Sequence, residues 1–116
     1  MMKWIFCLIA IASASAFAEN IDDFFNQHPN LSDNFIVKRE IINRAISNAA
    51  MDAALAGKDA NYGDELMKEQ GQHYGEISLR QIASDCRLSF SDNEQSISGL
   101  KKSECNLVIS ENGKIN

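Results

Sequence analysis

The stretch from Ser32 to Ala56 constrains the fold most, because it is the longest segment with helix signals at both ends. Ser32 is typical of a helix N-cap, and Gly57 is typical of the residue that follows a helix C-terminus. Between these ends, an apolar stripe forms when residues are placed about 100° apart around a helix. It contains Phe35, Ile42, Ile46, Ala49, Ala53 and Ala56, with Ala45 on its flank. The sequence therefore predicts one long helix with this stripe facing the core.

The stripe is bulky in its first half and contains only alanine in its second half. Small side chains let another backbone approach closely, so we expect a second helix to pack tightly against the alanine half. A Ser-x-x-Gln capping box at Ser78 predicts the start of that partner helix, with Leu79, Ile82 and Cys86 on its buried face. The polar residues opposite the stripe, which are Glu40, Asn43, Arg44, Ser47 and Asn48, are expected to face water.

Residues 1–18 have the pattern of a bacterial secretory signal peptide. Lys3 supplies a positive charge, an apolar run follows to Ala12, and an Ala-x-Ala site ends at Ala18. The apolar run is too short to remain as a membrane anchor. We therefore expect cleavage after Ala18 and export to the periplasm or the medium.

Removing these 18 residues from the 116 leaves 98, with 10 basic and 16 acidic side chains and a charge of −6. A chain of this length fits one small domain, over residues 19–116. Its acidity argues against nucleic acid or an anionic membrane as the main partner. After Ala18 no stretch has the length and hydrophobicity of a transmembrane anchor.

Two cysteines, Cys86 and Cys105, remain after the leader. Because exported proteins fold in an oxidising compartment, this pair predicts one disulfide. A redox or metal-binding thiol pair is the alternative, but there is no Cys-x-x-Cys and no histidine near either residue in the sequence.

The remaining mature chain carries weaker signals. Asn20 predicts the cap of a short helix that ends at His28, because Pro29 disfavours a helical residue before it. Three glycines at positions 63, 71 and 75 indicate turns around a short helix over residues 64–70. A further weak helix is expected to begin at Ser91.

The C-terminal segment allows two interpretations. Cys86 and Cys105 each begin a Cys-x-Leu-x-apolar-Ser pattern, which is compatible with a pair of short strands, and Asn112-Gly113 could form a hairpin turn. Alternatively, one helix continues to Gly113 as its terminating residue. The predicted fold class is a mainly α, single-domain protein of about four helices with one disulfide, with a short C-terminal β-hairpin or strand pair as the open alternative.

No catalytic, phosphate-binding or calcium-binding motif occurs in the chain. Glu69 and His73 are four residues apart, but Gly71 lies between them and two ligands do not make a metal site. We therefore predict no metal, no cofactor and no enzymatic activity.

The best binding candidates are Tyr62 and Tyr74, each followed by glycine, together with His73; two ordinary turns are the alternative interpretation. The sequence favours a non-catalytic exported protein that binds another protein, such as an inhibitor, a chaperone-like factor or a subunit of an envelope complex. The alternative is a small secreted hydrolase or envelope-acting toxin that uses His73 with nearby acidic residues.

Overall fold

The computed structural model describes residues 20–89 and 99–115, and these residues form five helices. The helices are α1 (Ile21–Gln27), α2 (Pro29–Ser32), α3 (Phe35–Leu55), α4 (Ala60–Ser89) and α5 (Lys102–Gly113). The mainly helical prediction is confirmed, with one helix more than expected. The predicted leader (residues 1–18) and the start of the helix predicted at Ser91 lie outside the described residues.

The first two helices meet at a proline. The side chain of Asn20 accepts hydrogen bonds from the N–H groups of Asp22 and Asp23 at 2.9 and 3.3 Å, which caps α1 as predicted. Helix α1 ends at Gln27 with His28 as its C-cap, also as predicted, and Pro29 occupies the first position of α2.

Helix α3 begins two residues later than predicted. Its N-cap is Asn34, whose side-chain oxygen accepts the Val37 N–H at 3.1 Å. Ser32 instead ends α2, where its hydroxyl donates to the Pro29 carbonyl at 3.1 Å. At the other end Gly57 has a φ of +73°, which glycine adopts readily, so the predicted helix-terminating role of Gly57 is confirmed.

The buried side of α3 differs from the predicted stripe. The buried residues recur every four positions and are Val37, Ile41, Ala45, Ala49 and Ala53. Phe35 and Ile46, which were expected in the core, are 71% and 50% exposed. The N-terminal half of α3 carries two apolar stripes side by side. Val37 and Ile41 of one stripe are buried in the core, whereas in the other only Ile42 packs partly against the core and Phe35 and Ile46 stay exposed.

Helices α3 and α4 run antiparallel, and polar side chains cross between them. The Asn48 amide donates to Ser78 at 3.2 Å and to Gln81 at 3.0 Å, and Arg44 pairs with Asp85 at 3.1 Å. The prediction that Arg44 and Asn48 face water is therefore wrong. So is the predicted helix start at Ser78, because this residue is buried inside α4.

Helix α4 is kinked at Gln70, whose φ and ψ are −129° and 28°, and it continues past the predicted end at Gly71. The two central glycines allow α1 to approach closely. A Cβ at Gly71 would overlap the backbone of Ile21, and a Cβ at Gly75 would lie 2.6 Å from the Phe24 ring. These glycines are therefore required by helix packing, and no turn occurs at them.

The alanine half of α3 is packed tightly, as predicted, but against a different segment. A Cβ at Gly63 would lie 3.4 Å from the Ala50 Cα, so the first half of α4 passes close to the α3 backbone. Ala49 and Ala53 form a small core there with Leu66. The segment that follows Ser78 packs instead against the first half of α3.

The C-terminal segment is helical over Lys102–Gly113, so of the two interpretations the β-hairpin or strand pair is wrong. Gly113 lies within α5 and does not have the positive φ of a helix-terminating glycine. Cys105 and Val108 are three residues apart, and both side chains are buried in the main hydrophobic core. A helix places residues at this spacing on one face, which explains why this segment forms a helix and not a strand.

The predicted disulfide between Cys86 and Cys105 is present, with a Cα–Cα distance of 5.5 Å. It fastens the end of α4 to the first half of α5, and a ring of this size contributes about 3 kcal/mol in the chain-entropy description.

Candidate functional site

The predicted binding residue Tyr74 lies in the core. It is 2% exposed, and its hydroxyl donates a 2.7 Å hydrogen bond to the Asp52 carboxylate on α3. Burial, helped by this hydrogen bond and by the negative charge of Asp52, raises the pKa of Tyr74 from 10.0 to about 12. Tyr74 therefore joins α4 to α3, and its ring is not available to a partner.

The other two predicted residues are at the surface. Tyr62 is 40% exposed and lines a shallow depression of about 560 Å³ with Lys58, whose Nζ lies 6.0 Å from the ring centre. The His73 side chain is exposed, and its ring centre lies 5.5 Å from that of Tyr74. Burial of Tyr74 thus separates the three residues into two surface positions and one core position.

Across residues 20–89 and 99–115, no three His, Cys, Asp or Glu side chains come together as metal ligands. Within the same ranges, no helix combines the length and apolar character needed to span a bilayer.

A polar cleft of about 430 Å³ lies where the α1–α2 junction meets the end of α5. Its lining residues are Gln27, His28, Pro29, Asn30, Glu76, Glu111, Lys114 and Ile115. No local sequence pattern predicts this cleft, because its lining residues come from three separate parts of the chain, residues 27–30, Glu76 and residues 111–115.

Glu111 is the main charged group of the cleft and is only 3% exposed. One of its carboxylate oxygens lies 3.5 Å from His28 Nδ1, and the other pairs with Lys114 Nζ. Burial alone would raise the pKa of Glu111, but hydrogen bonds from Lys114, Asn30 and His28 and the charge of Lys114 outweigh it, so the pKa is lowered from 4.5. Because the chain's own groups satisfy this carboxylate, we interpret the cluster as a structural tie between α2 and α5.

An exposed apolar surface lies along the N-terminal part of α3, where Phe35 and Ile46 are 71% and 50% exposed. We call this surface the α3 face and define it by Phe35, Lys38, Arg39, Ile42 and Ile46. The three apolar residues fall within about 40° of one another around the helix and extend over roughly 16 Å along it. Phe35 and Ile42 line a groove of about 290 Å³ together with Lys38 and Arg39.

The two cations of the α3 face lie on opposite sides of its apolar line. The Arg39 guanidinium lies 5.7 Å from the centre of the Phe35 ring, and Lys38 Nζ lies 5.3 Å from the centre of the Phe25 ring. Such contacts hold a cation near an aromatic surface without neutralising it. No carboxylate in the described part of the chain forms an ion pair with either residue. The α3 face is therefore apolar along its centre and positive at both edges.

The sequence contains a signal for this face. Apolar residues occur in α3 both at 37, 41 and 45 and at 35, 42 and 46, which together cover a wider arc than one core contact requires. An excess of this kind indicates a helix with a second apolar contact.

No protein-family model, curated protein or solved structure matches this chain.

Proposed function

We propose that this protein is a small exported, non-catalytic binding or accessory protein that acts through the α3 face. The observation that carries the proposal is the exposure of Phe35 and Ile46 on the same helix whose neighbouring residues Val37 and Ile41 are completely buried. Several exposed apolar side chains in line on a well-anchored helix are typical of a protein contact.

The surroundings of the face support a binding role. Helix α3 is held by two cores, the main one around Ile41 and the small one around Ala49, so the face is presented on a rigid element. Aromatic and arginine side chains, here Phe35 and Arg39, are enriched where proteins bind each other. A preordered face also loses little conformational entropy when a partner binds.

The proposed location rests on separate features. The pattern of residues 1–18 is typical of an exported bacterial protein, and the disulfide fits an oxidising compartment such as the periplasm. In that compartment the protein would serve as an inhibitor, a chaperone-like factor or a subunit of an envelope complex.

The test is capture of a partner protein from the envelope of producing cells. The double variant Phe35→Ala/Ile46→Ala should lose the co-purifying protein while its helical circular dichroism stays unchanged. The matched control is Met51→Ala, because Met51 is 64% exposed on the same helix but lies about 160° away from Phe35 around it.

An unchanged set of co-purifying proteins in the double variant would contradict the proposal. Equal losses in the double variant and in Met51→Ala would also contradict it, since they would show no role for this particular face.

A further inference from the structure

We propose that the partner of the α3 face presents an amphipathic helix with acidic residues on both flanks of its apolar side. This inference rests on the proposed function and adds the chemistry of the partner. It is carried by the position of Lys38 and Arg39, which line the groove with Phe35 and Ile42. At about 100° per residue they fall on opposite sides of the apolar line.

The apolar line has the spacing of a helix–helix contact. Phe35 and Ile42 are seven residues apart and Ile46 follows four residues later, so the same side of α3 is presented at each step. The groove beside Phe35 and Ile42 can receive an apolar side chain from a second helix. A helix laid along this line would contact it over roughly 16 Å, which is about three turns.

The positive charge of the α3 face determines which residues are expected on the flanks of the partner helix. The chain has a formal charge of −5, yet the α3 face carries two positive side chains and no acidic one. The nearest acidic residue of the same helix, Glu40, is turned towards Arg44, which also pairs with Asp85. A partner with Asp or Glu on both flanks would therefore meet complementary charge, whereas a basic partner would be repelled.

An anionic membrane surface also combines apolar and negative groups, but it fits this protein less well. Two cations supply little attraction to a lipid surface, and the acidic remainder of the chain is repelled by it. We therefore assign the face to a protein helix and treat lipid binding as an outcome of the test.

The probes are two synthetic amphipathic helices with the same leucine pattern, one flanked by glutamate and the other by lysine. Binding to the purified protein, with its disulfide intact, is measured by fluorescence anisotropy at roughly 0.15 M ionic strength, where a Debye length of about 8 Å screens the acidic remainder of the chain. The glutamate-flanked helix should bind roughly tenfold more tightly, since two charge pairs of surface strength change sign between the probes. In Lys38→Glu/Arg39→Glu the preference should reverse.

The matched control is Lys58→Glu/Lys68→Glu, which makes the same change in net charge at exposed positions outside the face. It should keep the preference for the glutamate-flanked helix. Equal binding of the two probes, or a preference that survives Lys38→Glu/Arg39→Glu, overturns the inference. Binding to phosphatidylglycerol vesicles that matches the peptide affinity and is lost in Lys38→Glu/Arg39→Glu also overturns it, in favour of a lipid surface.

These outcomes can be distinguished from failure of the proposed function. If Phe35→Ala/Ile46→Ala removes the captured envelope protein and the charge variants do not affect it, the α3 face still binds a protein and only the acidic partner is excluded. If neither pair of substitutions changes the captured proteins, both proposals fail.

Discussion

At the scale of single residues, the hydroxyl group of Tyr74 joins two helices through one hydrogen bond to Asp52. Its pKa is raised from 10.0 to about 12, so the folded protein holds this proton more tightly than the unfolded chain does. The resulting stabilisation is complete below pH 10 and is lost as the pH rises from 10 through 12.

The pKa of Tyr74 can be measured by itself once Tyr62 is replaced, because the chain has two tyrosines. In Tyr62→Phe only Tyr74 remains, and its ultraviolet absorbance should titrate with a midpoint near 12 while the circular dichroism stays native. Asp52→Asn in that background should lower the midpoint but keep it above 10, since burial is the largest cause of the shift. A midpoint at 10 in the folded protein would show that the Tyr74 side chain is exposed to solvent.

The lowered pKa of Glu111 predicts that the free energy of unfolding depends on pH in the opposite direction. Its pKa is lowered by its partners, so its stabilisation is present above pH 4.5 and is lost as the pH falls through the lowered value. Glu111→Gln should reduce the free energy of unfolding at neutral pH by about 1.5–3 kcal/mol, the usual loss for hydrogen bonds to a charged group. Urea unfolding at several pH values measures this difference, which should shrink below pH 4.5.

Glu69→Gln is the control for Glu111, because Glu69 is an exposed acidic residue on α4. It should change the free energy of unfolding by no more than a few tenths of a kcal/mol. If the two variants behave alike at neutral pH, the buried cluster around Glu111 does not stabilise the fold.

At the scale of helices, the close approach of α1 to α4 depends on glycine. Gly75→Ala places a Cβ 2.6 Å from the Phe24 ring and should lower the free energy of unfolding by about 1–3 kcal/mol, since overpacking outweighs the better helix propensity of alanine. Gly113→Ala is the matched control, because nothing lies within 4 Å of its added Cβ and the residue is also helical. Denaturant unfolding should show Gly113→Ala equal to or above the parent protein; destabilisation by Gly113→Ala alone would contradict this packing.

Some helix ends were predictable from local sequence, whereas the buried face of α3 was not. Asn20, Pro29 and Gly57 act through their own backbone geometry, so their effects can be predicted without knowing the fold. The buried side of α3 depends on where α1 and α4 pack, and two apolar stripes competed for that role. The stripe with Phe35 and Ile46 was predicted from its helical spacing, but Val37 and Ile41 have helical spacing too, so spacing alone did not identify the buried side.

The glycines of α4 failed as turn signals for a related reason. Gly71 and Gly75 are four residues apart and therefore lie on one face of a helix, which is as compatible with a close helix contact as with two turns. Their neighbour Tyr74 was consequently expected in a surface loop. The helical continuity of α4 places it in the core instead.

At the scale of the whole molecule, export, one disulfide and a helical domain were all expected from the sequence, and the disulfide and the helical fold are confirmed. The long-range arrangement was not expected, because Glu111 meets His28 across more than 80 residues and no local pattern records that contact. The α3 face was equally hidden, since exposure is a property of what the rest of the chain leaves uncovered. It is nevertheless the surface on which the proposed function depends.

Site-specific photo-crosslinking in producing cells tests that dependence most directly. A photoreactive amino acid is placed at Ile46, within the α3 face, and in a second strain at Met51, which is also exposed but on the other side of the helix. The proposed role of the α3 face predicts a covalent adduct with another protein from position 46 and a much weaker one or none from position 51. No protein adduct from position 46, or equal adducts from both positions, would contradict it.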